Sequence, residues 1–242
     1  MAHDILGLHH VTATVNDAQA DLDFCLNLLG MRLVKKTVNF DNHDVYHFYY
    51  GTEHGAPGTI WTTFPYKGYG VPVGSKGAGQ VVTTAFSVPA ASMAFWRRRL
   101  QDARVKVQDL DPRFGDEVIR FDDPSGLWFE LVAGDRDSRL PWDGGGVDAA
   151  AAIRGLHGVT LLVRQAEPTL ALMTDVLGYV VVGQAANRTR LAQRSFMQDI
   201  LIAASAREVG ATIITENVVD FTLIGRHVDI AFVPPWPPAP AV

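Results

Sequence analysis

The sequence predicts an α+β protein built by repeating one βαβββ unit, and three observations support this prediction. Hydrophobic residues make up 48% of the 242 residues, which is enough to bury a core in one or two domains. Up to Tyr66 the sequence contains one strand-like run, one helix-like run and three more strand-like runs. The same order of runs is found between Gln80 and Ala133. A further copy of the opening motif begins at Gly155.

The first unit opens with a strand predicted over residues 8–15, LHHVTATV. A helix is predicted to begin at Asn16 or Asp17, because an Asx side chain can cap the free amides of a first turn, and to end at Gly30. Three runs rich in β-branched and aromatic residues follow and are predicted to be strands: MRLVKKTVNF, DVYHFYYG and TIWTTFPY.

The second unit follows a Gly-rich connection at 67–79 and has the same order of elements. It contains the predicted strand QVVTTAFSV, the helix ASMAFWRRRLQDA, and strands near VKVQDLD, DEVIRFDD and LWFELVA. We therefore predict paired βαβββ modules over 7–135, followed by a polar Gly- and Ala-rich linker over 136–152.

A partial third module is predicted over 153–192 from the spacing of two motifs. GLHHVT begins at Gly7 and GLHGVT at Gly155, an offset of 155 − 7 = 148 residues. The helix-ending glycines Gly30 and Gly178 have the same offset, 178 − 30 = 148. Duplication explains a conserved helix length better than chance similarity of a hexapeptide does.

Composition narrows the expected partners. The formal net charge is −5, and long Lys/Arg runs are absent, so neither nucleic acid nor an anionic membrane is an expected partner. One cysteine, Cys25, cannot form an internal disulfide, and the start MAHDILGLHH lacks the features of a secretion signal. We expect a cytoplasmic protein that acts on a small molecule.

Several motifs taken together resemble the vicinal oxygen chelate superfamily, which includes glyoxalases, bleomycin-resistance proteins and extradiol dioxygenases. They are GLHHVT, YHFYYG, PGTIWTTFPY, TTAFSVP, DPSGLWFELV and GLHGVT, and the similarity extends over about residues 7–190. Within the superfamily they most resemble ring-cleaving dioxygenases that open hydroquinone- or catechol-type rings. The resemblance implies paired modules that curl around one Fe(II) or Mn(II), held by two His and one Glu, with a small aromatic substrate and O₂ as partners.

This ligand set has a chemical reason, since two neutral imidazoles and one carboxylate on one face leave positions where a substrate oxygen and O₂ can meet. By resemblance His10 is a metal ligand, and His9 is the neighbour that hydrogen-bonds the substrate or moves a proton. Alternation along a strand predicts that the two rings point to opposite faces. The repeat distinguishes them, because His9 corresponds to His157 whereas His10 corresponds to Gly158.

Glu130 lies in the apolar run LWFELV, where an unpaired carboxylate would be costly, and this marks it as a second metal-ligand candidate. A salt-bridged or hydrogen-bonded structural carboxylate is the alternative. Among the other histidines, His43 and His54 are expected in solvated turns, and His47 is a candidate for pocket lining. Several aromatic residues could line a pocket for a planar ring or pack in the core: Tyr46, Phe48, Tyr49, Trp61 and Phe64.

After about Ala192 the sequence changes character, and a fourth module that would supply the second His and the metal Glu is not recognisable. Residues 193–242 instead predict an α/β fragment, of which about 195–238 resembles the end of a PIN-domain ribonuclease, with Asp199 and Asp220 as acid candidates for Mg²⁺ or Mn²⁺. Helix capping is the alternative role for both acids.

The leading hypothesis is a ring-cleaving dioxygenase-like metalloprotein that is impaired because the fourth module is missing. Two alternatives are a non-catalytic small-molecule-binding or vestigial module and a PIN-type metal-dependent ribonuclease. A truncated second domain would leave an apolar strand face exposed, so either a homodimer or close docking of the C-terminal tail against this face is expected.

Overall fold

The computed structural model describes residues 8–193, 212–214 and 231–233. The described residues divide into two compact units, one formed by Leu8–Arg164 and the other by the described residues from Gln165 onward. In the described part of the chain, no helix is long and apolar enough to cross a membrane.

The first module contains one helix and a four-stranded sheet in the order β1-β4-β3-β2, in which β1 and β4 are parallel. Asp17 caps the helix by accepting from the amides of Gln19 and Ala20, each at 2.9 Å, as the sequence predicts. The elements are β1 (His10–Val15), α1 (Ala18–Leu22), which continues as a π-helical segment (Asp23–Leu28), β2 (Arg32–Val38), β3 (Tyr46–Gly51) and β4 (Ile60–Pro65).

Gly30 ends this helical segment in the left-handed region, with φ +66°. A Cβ at this position would lie 2.6 Å from Cγ2 of Val147, so both the backbone conformation and the space favour glycine.

The second module repeats this plan and gains one extra strand. Its sheet has the order β6-β7-β8-β5-β9, with β5 parallel to β8 and antiparallel to β9. The elements are β5 (Gln80–Val88), a 3₁₀ turn (Ala90–Ser92), α2 (Met93–Asp102), β6 (Gln108–Arg113), β7 (Asp116–Asp122), β8 (Trp128–Ala133) and β9 (Gly155–Leu162). The predicted α+β fold of repeated βαβββ modules is thus confirmed.

Among the described residues, the larger of two hydrophobic core clusters contains residues of both modules. Phe129 of the second sheet lies 5.1 Å from Trp61 of the first sheet and 5.8 Å from Phe24 of the first helix, measured between ring centroids. Full burial of each such side chain contributes about 1.5–3 kcal/mol, which favours keeping the two modules together. The segment expected as a linker takes part, since Val147 and Ala152 are buried in this core.

The first strand of the expected third module, β9, belongs to the sheet of the second module. The following elements lie in the other compact unit: α3 (Ala166–Ala171) with a π-helical continuation (Leu172–Val176), an antiparallel pair of β10 (Tyr179–Ala185) and β11 (Arg188–Gln193), and a parallel pair of β12 (Thr212–Ile214) and β13 (Ala231–Val233). Asp199 and Asp220 fall outside the described residues.

Candidate functional site

The face of the first sheet that points away from the core carries most of its polar side chains. Along β1, His10, Thr12 and Thr14 are exposed, whereas Val11 and Ala13 pack against the core. The alternation of a strand places these two sets on opposite faces. We call the outer surface the histidine face and define it by its side chains: His10, Thr12 and Thr14 of β1, Lys35 of β2, His47 and Tyr49 of β3, and Thr62 and Phe64 of β4.

Contacts between neighbouring strands support this assignment. The hydroxyl of Thr62 donates to that of Thr12 at 2.8 Å, which joins β4 to β1 on this face. The Lys35 ammonium lies 5.3 Å from the centroid of the Tyr49 ring, which joins β2 to β3. The histidine face therefore extends across all four strands of the first sheet.

His9 and His10 meet at the start of β1. Their Nδ1 atoms are 3.0 Å apart, and the rings are nearly perpendicular at 86°. The strand begins only at His10, so alternation does not direct His9 to the opposite face, and its ring reaches that of His10. Partial burial, and then the nearby His9, lower the pKa of His10.

His47 lies between two aromatic rings of the same face. Its ring centroid is 4.1 Å from that of Tyr49 and 4.0 Å from that of Phe64, and its Nδ1 is 3.0 Å from the Tyr49 hydroxyl. Burial, followed by the positive charge that His10 and Lys35 can carry, lowers the pKa of His47 to about 4. The imidazole is therefore neutral near pH 7.

The second nitrogen of this ring, Nε2, is buried and has no hydrogen-bond partner among the described residues. A buried polar atom of this kind costs free energy unless something binds it. The sequence indicated His47 only as pocket lining; its spacing of two residues from Tyr49 was the signal that both share one face.

The remaining aromatic and histidine candidates divide between core and solvent. Phe48 and Trp61 are buried in the core, as the packing alternative predicted. His43 and His54 are exposed in turns, as expected from their Asp- and Gly-rich surroundings. These four residues therefore contribute no side chain to the histidine face.

Glu130 lies on the outer face of the second sheet, between two arginines. Its Oε1 accepts from Nη2 of Arg120 at 2.7 Å, and its Oε2 lies 2.6 Å from Nη2 of Arg113. The carboxylate side chain is only 3% exposed, so the pairing is what makes its burial tolerable. These contacts are those of the structural ion pair that the sequence left open as an alternative to metal binding.

The described residues of one chain do not fit a ligand set of two His and one Glu. Within 8–193 and the two short strand segments, no three or more His, Cys, Asp or Glu side chains are arranged to hold a metal ion. Two imidazoles lie near His10: that of His9 beside it, and that of His47, whose pKa is lowered by burial and by the charge of His10. The side chains that define the histidine face include no carboxylate. The described residues of one chain therefore do not supply this ligand set.

Comparison with known proteins identifies relatives of this chain. MhqO from Bacillus subtilis (strain 168), named as a candidate ring-cleaving dioxygenase, is 42% identical over 190 residues, which cover 78% of this chain and 60% of that protein. The chlorohydroquinone/hydroquinone 1,2-dioxygenase of Sphingobium indicum is 36% identical over 189 residues, covering 77% of this chain and 59% of that protein. The chain thus spans about 60% of the length of these relatives.

A solved structure agrees with the similarity in sequence. A candidate dioxygenase from Bacillus subtilis matches with a TM-score of 0.74 at 40% identity, over 81% of this chain and 62% of that one. A model of one family, the Glyoxalase/Bleomycin resistance protein/Dioxygenase superfamily, matches residues 7–131, which is more than half of the chain and contains both βαβββ modules. This chain is therefore a member of the Glyoxalase/Bleomycin resistance protein/Dioxygenase superfamily.

Proposed function

We propose that this chain supplies one half of the site of a ring-cleaving dioxygenase that inserts O₂ into a hydroquinone- or catechol-type ring. The observation that supports this proposal best is the histidine face. There, a neutral His47 with an unpartnered Nε2 lies between Tyr49 and Phe64, on the same side of the sheet as His10. An aromatic slot with a few directed polar atoms is typical of a site for a small planar substrate.

In this proposal His10 is a ligand of a divalent Fe(II) or Mn(II), and the other ligands are not among the described residues of the chain. His9 is the neighbouring group that hydrogen-bonds or takes a proton from a phenolic hydroxyl of the substrate. The 3.0 Å contact between the two Nδ1 atoms requires one ring to donate and the other to accept, which holds His9 in place. Glu130 is left out of the site because both of its oxygens contact arginines.

The names of the relatives favour this chemistry over a purely structural role. One name describes a ring-cleaving dioxygenase, and the other a dioxygenase of chlorohydroquinone and hydroquinone. We also propose a homodimer in the cytoplasm as the working form of the protein.

Anaerobic equilibrium dialysis against Fe(II) tests the proposal, with wild type compared to His10→Ala. His43→Ala is the matched control, because His43 is an exposed histidine in a turn of the same module. We expect specific iron in wild type and in His43→Ala and its loss in His10→Ala, together with hydroquinone-dependent O₂ uptake that follows the iron content.

Equal iron in all three proteins would contradict the role of His10. Binding of a hydroquinone to metal-free wild type, without O₂ uptake after iron loading, would contradict the enzymatic proposal and indicate a binding module.

A further inference from the structure

The histidine face carries a positive charge that none of its own side chains balances. Lys35 supplies this charge, and the side chains that define the face include no carboxylate. Among the described residues, the Lys35 ammonium makes no hydrogen bond or ion pair, and it contacts the Tyr49 ring at 5.3 Å from the ring centroid. Burial lowers the pKa of both His10 and His47, so these two imidazoles are mainly neutral near pH 7. Lys35 is therefore the cation of this face.

The second sheet shows how the same fold balances cations on the corresponding face. Tyr49 corresponds there to Arg120, and Thr62 corresponds to Glu130. The Glu130 carboxylate accepts from Arg120 at 2.7 Å, and its other oxygen contacts a second arginine. The first sheet has only a hydroxyl at the position of this carboxylate. A bound molecule with an acidic group can supply there the charge that Glu130 supplies in the second sheet.

Lys35 lies beside the aromatic slot that contains the unpartnered nitrogen. In the strand register Lys35 is opposite Tyr49, and the Tyr49 ring centroid is 4.1 Å from that of His47. After burial and the charge of His10, the charge of Lys35 is a further cause of the lowered pKa of His47. A planar ring bound at Nε2 of His47 therefore lies within electrostatic reach of the Lys35 ammonium.

We propose that the substrate of this site is a hydroquinone-type ring that carries a carboxylate substituent, and that Lys35 is the residue that selects it. The ring packs against Tyr49, one of its polar atoms hydrogen-bonds Nε2 of His47, and its carboxylate pairs with the Lys35 ammonium. The identity of the ring rests on the proposed function. The preference for an anion rests on the position of Lys35 and on the absence of a carboxylate from the side chains that define the face.

Edge protection is the other role that a lysine on β2 can have, because charged residues on an edge strand prevent pairing with a second sheet. Lys36 separates the two roles. It lies on the same edge strand but opposite Phe48, a core residue, so its side chain points to the other face. Its ammonium lies 4.5 Å from the centroid of the Tyr46 ring. Edge protection predicts equal effects of the two lysines, whereas selection of an anionic ring requires Lys35 alone.

Anaerobic calorimetric titration of the full chain tests this inference with two probes that share one ring and two hydroxyls. Gentisate carries a ring carboxylate, and gentisamide carries the uncharged amide. We expect wild type to bind gentisate about fivefold more tightly at low salt, the upper range for an exposed ion pair. This preference should decrease as the salt concentration rises. Lys35→Gln should abolish it, Lys35→Arg should keep it, and Lys36→Gln should leave it at the wild-type value.

Equal affinities of wild type for the two probes, or the same preference in Lys35→Gln as in wild type, would overturn the inference. With hydroquinone-dependent O₂ uptake intact, such a result rejects the anionic substrate class and leaves the proposed function in place. Equal losses of preference in Lys35→Gln and Lys36→Gln would also overturn the specific role of Lys35. A preference that depends on Lys35, without O₂ uptake after iron loading, would reject the proposed function and support an anion-selective binding site.

Discussion

The outer faces of the two sheets share one backbone plan but carry different chemistry. The strand registers align four positions of the first module with four of the second: His10 with Thr83, His47 with Val118, Tyr49 with Arg120, and Thr62 with Glu130. In the second module β9 extends the sheet beside β5, and an ion-pair cluster lies on this face. In the first module the outer face is exposed along β1 and carries imidazoles near an aromatic slot.

This difference shows that duplication preserved the fold while the two faces took different roles. Corresponding positions occupy equivalent places in the strand registers of the two sheets, so the change lies in the side chains and in the extra strand. The Glu130 carboxylate has both oxygens paired with guanidinium groups, whereas the half-buried imidazole of His47 keeps a buried nitrogen without a partner among the described residues.

The largest expected effect comes from breaking the ion pairs of the second module. Glu130→Gln removes the negative charge and leaves Arg113 and Arg120 mostly buried without compensation. We expect a loss of about 3–5 kcal/mol in the free energy of unfolding. Thr62→Val, at the corresponding position of the first module, loses one hydroxyl contact and should cost about 1 kcal/mol. Urea denaturation measures both, and similar losses would contradict the assigned difference.

A second difference concerns the turn that follows the third strand of each module. Asp123 is buried there, and burial raises its pKa to about 6, whereas the first module has the uncharged Thr52. The folded state binds the proton of Asp123 more tightly than the unfolded chain does. The contribution of Asp123 to the free energy of unfolding should therefore be largest below pH 4 and decrease as pH rises to about 6. A difference of about two pKa units corresponds to about 3 kcal/mol.

Asp123→Asn keeps an oxygen that can accept from the amides of Ser125 and Leu127 and removes this dependence. The slope of unfolding free energy against pH between pH 4 and 6 should decrease in the variant. Asp102→Asn, at an exposed position at the end of α2 in the same module, should leave the slope unchanged. An unchanged slope in Asp123→Asn would show that Asp123 titrates normally.

A third prediction concerns a core-side position, where one substitution gives the first module the residue type of the second. The hydroxyl of Tyr50 donates to the buried Asp21 at 2.6 Å, and the corresponding residue of the second module is Phe121. Tyr50→Phe should cost about 1.5–3 kcal/mol, because Asp21 keeps only the donors Thr63 and Cys25. Tyr46→Phe, at an exposed position of the same strand, should cost almost nothing by thermal or urea denaturation. Equal losses would contradict the importance of this contact.

The smallest expected effect on stability belongs to His47→Val, which introduces a residue like Val118. The variant removes an unpartnered buried nitrogen but also a contact of Tyr49, so the free energy of unfolding should change by less than about 1 kcal/mol. Hydroquinone-dependent O₂ uptake should decrease strongly in the same variant if His47 binds the substrate. A stability loss above 3 kcal/mol with unchanged uptake would assign His47 a structural role.

Much of the fold was predictable because its determinants are local. Asp17 and Gly30 bound the first helix by capping and by a left-handed backbone, and both are recognisable without knowledge of their neighbours. Strand alternation also predicts that His47 and Tyr49 share a face. The repeat offset of 148 residues identified β9 as a copy of β1, and the fold supports the resemblance that these motifs suggested.

Tertiary structure decided what these residues contact. A carboxylate in an apolar strand predicts a partner but does not identify it, and only the cross-strand pairing of β7 with β8 and the position of Arg113 showed that Glu130 binds arginines. The same limit applies to β9, since a copy of β1 could pair within its own module or with β5. Sequence determines propensity, capping and alternation because these depend on neighbouring residues, whereas strand order and charge pairing depend on segments far apart in the chain that folding brings together.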